Sequence, residues 1–402
     1  MEEWKEYKLG DLIVLSSGGT PNKSNSSYWN GDIPWISAKA MYDDYLYSSD
    51  MTITREGLNN GSKLAPVNSI LLLTRGSGLF NRIPVCLVKR EMAFNQDVKC
   101  IESRDKNVVS NIFLFYWLMG NKREISNILE TTGIGAGKID TERLKNIPIN
   151  LPPIQMQQVL IQFAESLMLK IEVNRRINEN LEQQAQALFK SWFVDFEPFK
   201  DGAFVESELG MIPKGWRVGS MYDYIDVVYG APYKSSLFND KKEGLPLIRI
   251  RDLKTNAPQF YTPEILPNTE FVKAGDIVAG MDAEFIPYVW LGEKGVLNQR
   301  CCKFRGKNEA ISNYYILFLI KPELEYVQSY KTGTTVSHLG KSDIDRFRFV
   351  TPPLDVVKSF SDLVDGMLKE LVNRANESRR LAELRDTLLP KLMSGQIEVN
   401  EI

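Results

Sequence analysis

The chain has 402 residues, 43% of them hydrophobic and 25% charged, with 49 basic against 51 acidic side chains and a formal net charge of −2. At about 100–200 residues per domain this length holds two or three domains. The near-zero charge excludes a uniformly basic nucleic-acid coat while leaving room for a local basic face. A single histidine, His338, and four cysteines without a CxxC (Cys86, Cys100, Cys301, Cys302) exclude paired His/Cys zinc sites and favour a binding protein over an enzyme.

In chain order, residues 1–150 mix short strand-like runs, such as Ser69–Thr74 and Val85–Val88, with Gly, Pro and Asn turns, and Ile112–Met119 reads as a helix. The longest aliphatic run, Ile70–Leu73, is far below the roughly 20 apolar residues of a membrane span, and the first residues lack a signal-peptide core. A cytoplasmic protein is expected. Gly133–Lys138 has the look of a phosphate loop, but Thr132 and Ile139 break the Walker pattern at both ends, so it reads as a flexible loop before the last strand. After Leu151-Pro152-Pro153 the pattern changes. Ile154 to Phe193 contains no Pro or Gly and predicts one helix about 60 Å long. Its apolar positions, Leu160, Ala164, Leu167, Ile171, Leu181, Ala185, Leu188 and Trp192, step by four and three as in a heptad seam, interrupted by Asn174 and Asn178. Ser207–Trp216 reads as a turn-rich linker. Strand-like Asp276–Ala279 and Val296–Leu297 and a helix at Tyr314–Ile320 follow. A second long helix, Leu354–Met393, then carries Phe360, Val364, Met367, Leu371, Leu381, Leu388 and Leu392 on its seam, with Arg374 and Ser378 at the centre.

The two halves are copies. Trp4 aligns with Trp216, Gly18 with Gly230, Ile33-Pro34-Trp35-Ile36 with Leu245-Pro246-Leu247-Ile248, Asn95-Gln96 with Asn298-Gln299, and Leu151-Pro152-Pro153 with Thr351-Pro352-Pro353. The offset falls from 212 to 203 to 200, as loop deletions would produce. The expected architecture is a tandem duplication in the α+β class: a globular unit at 1–150, long helix and linker at 151–206, a second globular unit at 207–351, and a second long helix and tail at 352–402. A soluble helix this long needs a partner. The two helices are expected to pair as an antiparallel coiled coil with pseudo-twofold symmetry, its register locked by the polar centre. Apolar side chains at the helix ends, Phe189, Trp192, Phe193, Phe196, Leu384 and Leu389, exceed what one seam needs and suggest docking of other subunits.

Taken together, LGDLIVLSSGGTP (Leu9–Pro21), GDIPWIS (Gly31–Ser37), INLPPIQMQQ (Ile149–Gln158), ALFKSWFVDFEPF (Ala187–Phe199), LGMIPKGW (Leu209–Trp216) and LLPKLMSGQI (Leu388–Ile397) make the chain resemble the specificity subunit of a type I restriction–modification system. The resemblance implies two target recognition domains, each reading one half of a bipartite double-stranded DNA target. It also implies helices that space these domains and bind two modification (methyltransferase) subunits, with restriction (translocase/endonuclease) subunits joining through the complex. It implies no catalysis in this chain; S-adenosylmethionine, ATP and Mg belong to partner subunits. No [ND]PP[FY] methyltransferase motif is present, the two Pro-Pro pairs reading LPPI and TPPL. Copy two departs at Ala231-Pro232, where copy one has Gly19-Thr20-Pro21. The alternative function is a non-catalytic scaffold whose globular ends bind proteins.

Charge divides along the chain. Residues 1–150 carry 18 basic and 17 acidic side chains and 207–351 carry 19 and 17, whereas 151–206 carry 5 and 8 and 352–402 carry 7 and 9. So small a basic excess predicts weak DNA binding by the isolated chain. Candidate DNA-binding residues are Lys23, Asn25, Lys39, Arg75, Ser77 and Arg82 in copy one, and Lys234, Arg249, Arg251, Thr334, Thr335 and Lys341 in copy two. Arg pairs with guanine and Asn with adenine in the major groove. Alternation in LIRIRDL places Arg249 and Arg251 on one face of a strand. Asn95-Gln96 and Asn298-Gln299 occur in both copies, which argues for a shared structural turn.

Overall fold

A computed structural model describes residues 4–133, 135–331 and 338–397. The chain divides into two compact units, Met1–Lys170 with Leu381–Ile402, and Ile171–Arg380.

In the first unit, strands Ile13–Ser17, Val98–Ser103, Ile70–Leu73, Val85–Val88 and Tyr45–Leu46 form one sheet in that order. Ile70–Leu73 and Val85–Val88 are buried along their whole length, which is why they read as continuous rather than alternating apolar runs. The helix Asn111–Gly120 (NIFLFYWLMG) is apolar all round and correspondingly buried, with the Ser110 hydroxyl accepting from the Phe113 N–H at 3.1 Å as its N-cap. A second sheet takes the order Thr52–Ile53, Trp29–Ile36, Met92–Phe94, Lys63–Ala65, and Lys5–Lys8 pairs antiparallel with Pro148–Leu151.

The second unit repeats this plan, except that among the described residues its first sheet has four strands and lacks a counterpart of Tyr45–Leu46. Its first sheet runs Ile225–Tyr229, Cys301–Gly306, Ile277–Gly280, Pro287–Val289. Its second runs Tyr261–Thr262, Leu245–Ile248, Gly295–Leu297, Phe271–Val272, and Arg217–Ser220 pairs with Arg348–Thr351. The register agrees to the residue. Trp35 lies beside Ala93 in a parallel pair, and Leu247 beside Val296. The Asn95 N–H donates to Ile36 O at 2.9 Å and the Asn298 N–H to Ile248 O at 3.0 Å. Each asparagine then accepts from the backbone two residues on, Asp97 at 3.2 Å and Arg300 at 3.3 Å. The paired Asn-Gln motifs are therefore the expected turn. At Gly18 a Cβ would stand 2.0 Å from Phe94 O and at Gly230 2.1 Å from Asn298 O, so close backbone approach requires glycine in both copies. The departure at Ala231-Pro232 leaves the backbone pattern intact: Gly19 N–H donates to Phe94 O at 2.8 Å, Ala231 N–H to Leu297 O at 2.9 Å.

The long helices span Ile154–Phe193 and Leu354–Met393, and the second continues through Pro390. Each unit contains part of both. In the second unit they run antiparallel: Asn174 meets Arg374, Asn178 donates to Leu371 O at 3.2 Å, and further along Phe189 packs on Phe360 at 5.9 Å. Leu160, Phe360 and Leu371 are buried; Leu167, Ile171, Leu181, Leu188, Met367, Leu381 and Leu388 are half-buried. Asn174 is wholly buried, donating to Glu377 at 2.7 Å and accepting from Arg374 at 3.1 Å, and Arg374 also pairs with Glu370 at 2.6 Å. Partnered polar groups inside a seam specify its register.

Three expectations are corrected. Ser207–Trp216 lies largely in a β-hairpin, Phe204–Ser207 with Gly210–Pro213, and Trp216 packs on Phe199 at 4.9 Å and Phe196 at 5.5 Å. The aromatic residues there hold it in place, so it is no free linker. The surplus apolar side chains of the helix ends are largely consumed within the chain: Phe189, Phe193 and Leu389 are buried in its own cores, and Trp192 and Phe196 are half-buried in an aromatic cluster with Phe199, Phe360 and Trp216. Among the named six, only Leu384 is exposed. Arg249 and Arg251 do not share a strand face, because the strand ends at Ile248 and a short helix, Ile250–Leu253, begins at once. The Asp252 carboxylate accepts from the Arg249 N–H at 3.0 Å, a capping bond that outcompetes strand continuation.

Candidate nucleic-acid interface

In the first unit the buried strand Ile70–Leu73 leaves the core at Thr74, whose N–H donates to Asp97 O at 2.8 Å, and becomes the two-residue strand Arg75–Gly76. Arg75 lies opposite Lys138 of strand Gly137–Ile139. Lys99 joins them from Val98–Ser103; burial first, then the Arg75 charge, draws its pKa down against the opposing pull of Asp97. Three cations thus collect at one edge. Gly133 and Gly135 lie between strands Leu129–Thr131 and Gly137–Ile139, and Ile134 lies outside the described residues.

The chain continues from Arg75 into the turn Ser77–Phe80, where Ser77 and Phe80 are exposed. Arg82 follows and is committed to the backbone, donating to Tyr42 O at 2.9 Å and also to Met41 O. It ties this segment to the turn Ala38–Ala40, which displays Lys39. Arg75, Ser77, Arg82 and Lys39 therefore belong to one connected edge. Lys23 and Asn25 sit on a separate turn leading to Trp29–Ile36; Lys23 is exposed, while the Asn25 side chain accepts from the Ser27 N–H at 3.1 Å and caps its own turn.

In the second unit the equivalent strand Ile277–Gly280 leads through Met281 to Asp282, which bridges to His338. The Asp282 carboxylate meets His338 Nδ1 at 2.6 Å and Arg300 at 3.1 Å. Arg249 is 18% exposed, with its guanidinium stacked over Phe260 at 4.4 Å and Nε 3.6 Å from Asp252. Burial lowers the Arg249 pKa and raises that of Asp252. Nε and Nη2 of Arg249 are buried without a hydrogen-bond partner among the described residues, and the guanidinium is held by the Asp252 charge and the Phe260 ring. Arg251 and Lys341 are exposed, the latter opening the short helix Lys341–Ile344. Lys234 is exposed as well, its N–H donating to Glu264 at 2.8 Å. Thr334 and Thr335 lie outside the described residues.

Residue-by-residue reading overlooked Lys99, Lys138, Asp282, Arg300 and His338, because the alignment offset shifts between the strands that bring them together. It also missed a cleft of about 780 Å³ in the second unit. Lys273, Lys294, Lys303, Arg305, Lys307 and Lys369 line it against Asp276, Glu309 and Asp365. Lys303 is buried and paired with Glu270 and with Asp276 at 3.7 Å, so the remaining cations carry the outward charge.

The four thiols are buried, and burial pushes those of Cys86 and Cys302 up to about 12 and that of Cys100 to about 11. They are poor nucleophiles at neutral pH. Among the described residues no three His, Cys, Asp or Glu side chains gather as metal ligands, and no helix is long and apolar enough to cross a membrane.

The sequence model described as "Type I restriction modification DNA specificity domain" matches residues 1–183 and 213–377. The chain is 28% identical to the "Type I restriction enzyme MjaIX specificity subunit" of Methanocaldococcus jannaschii, an alignment covering 100% of this chain and 95% of that one. It is 22% identical to the HindI specificity subunit of Haemophilus influenzae, over 99% of this chain and all of that one. The crystal structure of a type I restriction–modification S subunit from M. genitalium superposes with a TM-score of 0.50 over 97% of this chain and 96% of the other, at 14% identity, a likeness of fold.

Proposed function

The chain belongs to the type I restriction–modification DNA specificity family and serves DNA-target recognition; we propose that it does so by reading a bipartite double-stranded target, one half with each unit. The observation that carries this reading is the duplication itself. Two copies share strand order, register and even the obligatory glycine, yet differ in the side chains on their open edges. A frame kept constant under changed surface chemistry suits two readings of two different sequences.

In this proposal Arg75, with Ser77, Lys39 and Lys138, contacts DNA from the first unit, and Arg249, with Arg251 and Lys341, from the second. Lys23, Asn25, Arg82, Lys234, Thr334 and Thr335 complete the candidates. Arg82 and Asn25 act through the loops they hold. The lysine-lined cleft of the second unit suits phosphate contacts, which position without specifying sequence. The long helices are the proposed seat of two modification subunits, with Leu384 and the exposed Leu169 and Leu363 offering apolar anchors. Restriction subunits join through the assembled complex. Methyl transfer and ATP-driven steps, with S-adenosylmethionine, ATP and Mg, are assigned to those partners, and this chain to recognition in the cytoplasm without catalysis of its own.

The test is a domain exchange in the assembled complex. Replacing residues 1–150 by those of a relative is expected to change one half of the methylated sequence and leave the other half intact. A change in both halves, or in neither, overturns the proposal. The isolated chain is expected to bind DNA weakly, since its basic excess is small; nanomolar binding at physiological salt would contradict that expectation.

A further inference from the structure

We infer that three backbone-equivalent positions at the open edge of each unit choose the base that the unit accepts, and that at two of the three the units carry opposite charges. The positions hold Arg75, Asp97 and Lys138 in the first unit and Asp282, Arg300 and His338 in the second. This inference rests on the half-site reading above and names the side chains that would distinguish the halves.

Backbone hydrogen bonds establish the equivalence independently of sequence similarity. The Thr74 N–H donates to Asp97 O at 2.8 Å, and the Met281 N–H to Arg300 O at 2.8 Å. The Ile139 N–H donates to Thr74 O at 2.9 Å, and the Leu339 N–H to Met281 O at 2.7 Å. Arg75 lies opposite Lys138 across this pairing, and Asp282 opposite His338. No sequence motif marks the match, since none of the three side chains is shared.

At these sites the charges are exchanged: Arg and Asp in one unit stand where Asp and Arg stand in the other. The frame is indifferent to the exchange, because the side chains lie outside the buried cores and the backbone bonds do not change. Stability does not account for them either. Arg300 is 59% exposed and His338 50% exposed, and ion pairs so open to water contribute little to folding. What the exchange alters is the hydrogen bonding presented outward.

Arg75 and Lys138 offer donors alone, which suits the N7 and O6 acceptors of guanine in the major groove. Asp282 offers acceptors alone and suits a base presenting an exocyclic amino hydrogen, cytosine N4 above all. His338 Nδ1 and Arg300 hold the Asp282 carboxylate from two sides at 2.6 and 3.1 Å. The oxygens are oriented before DNA arrives, as a site requires if it is to discriminate rather than adapt. With Nδ1 engaged, Nε2 of His338 is left for a second contact to the same base pair or its neighbour.

The test uses the full complex with its modification subunits and maps the methylated motif by sequencing DNA from cells that express it. Arg75→Gln, Asp282→Asn and His338→Gln are compared with the wild type. Arg75→Gln and Asp282→Asn are each expected to alter preference at one base, in different halves, by about tenfold or more, and His338→Gln to act in the same half as Asp282→Asn. Unchanged motifs in all three variants overturn the inference, as does a uniform fall in methylation without a change of motif. If Asp282→Asn abolishes methylation altogether, His338→Gln decides: an unchanged motif there overturns the inference, an altered base in that half supports it. A wild-type complex that marks no two-part motif would instead defeat the half-site reading itself.

Discussion

Positions 189, 193 and 360, around the long helices in the second unit, are all phenylalanine; positions 389, 393 and 160, their equivalents in the first unit, are leucine, methionine and leucine. Both sets are buried. The phenylalanines form a ring cluster with Tyr315, Phe193 lying 5.0 Å from Phe360 and 5.1 Å from Tyr315. The aliphatic set packs with Leu392 in the core of the other unit. The same frame is therefore filled by different chemistry, because a core requires matched volume and apolarity before any particular side chain. The open edges show the same freedom with charge, where nothing in the core resists the substitution of Arg75 by Asp282. Comparing the units teaches which positions the fold constrains and which it leaves for recognition.

The largest effect expected from this contrast is in the cores. Phe360→Ala removes ring contacts to Phe189, Trp192, Phe193 and Tyr315 and is expected to cost about 3–5 kcal/mol in denaturant unfolding. Leu160→Ala, at the equivalent position, is expected to cost about 2–4 kcal/mol, since it leaves a smaller cavity. A larger loss at Leu160 would contradict the view that aromatic packing sets the second unit apart.

The glycines test where the units are the same. Gly18→Ala and Gly230→Ala each force a Cβ onto a backbone oxygen, and similar destabilisations of about 1–3 kcal/mol are expected from both. If one were tolerated freely, the backbone equivalence would fail at that turn. At the seam, Asn174→Ala leaves Arg374 and Glu377 short of a buried partner and is expected to cost about 1–3 kcal/mol. Asn178→Ala, which loses a single bond at 3.2 Å, is expected to cost about 1 kcal/mol.

Smaller effects belong to recognition. Arg249→Ala is expected to remove about 1–3 kcal/mol of discrimination at one base of the half read by the second unit, measured by binding of matched and mismatched duplexes to the assembled complex. Lys273→Ala and Lys369→Ala, at the cleft, are expected to weaken all sequences alike and to reduce the salt dependence of binding by about one unit of slope each. A base-selective change from either lysine would move the cleft from phosphate contact to base reading.

Much of the fold was legible because its signals are local. The helices Ile154–Phe193 and Leu354–Met393 have the bounds expected from the Pro-Pro pairs and the heptad pattern that follows each. The strands around Ile70–Leu73 and Val85–Val88 also stand where continuous apolar runs put them. Asn95 and Asn298 could be read as turns because their side chains bond two residues away. The edges were less legible. Arg249 looked like one of a pair on a strand, but the local Asp252 capping bond ends that strand and the Phe260 ring captures the guanidinium. Phe189 and Phe193 looked like surface available to partners, and helix periodicity could not show that Tyr315 and Phe360 cover them.

Sequence alone was sufficient for the duplication, the α+β class, the helix limits and the resemblance to a DNA specificity subunit, since repeats and periodicity are carried by neighbouring residues. Tertiary structure was needed to decide which charges stand together. Arg75, Asp97 and Lys138 come from three separated segments, as do Asp282, Arg300 and His338, and they meet only through backbone hydrogen bonds between strands. Because side chains at an open edge are held by neither helix periodicity nor core volume, their grouping leaves no pattern along the chain.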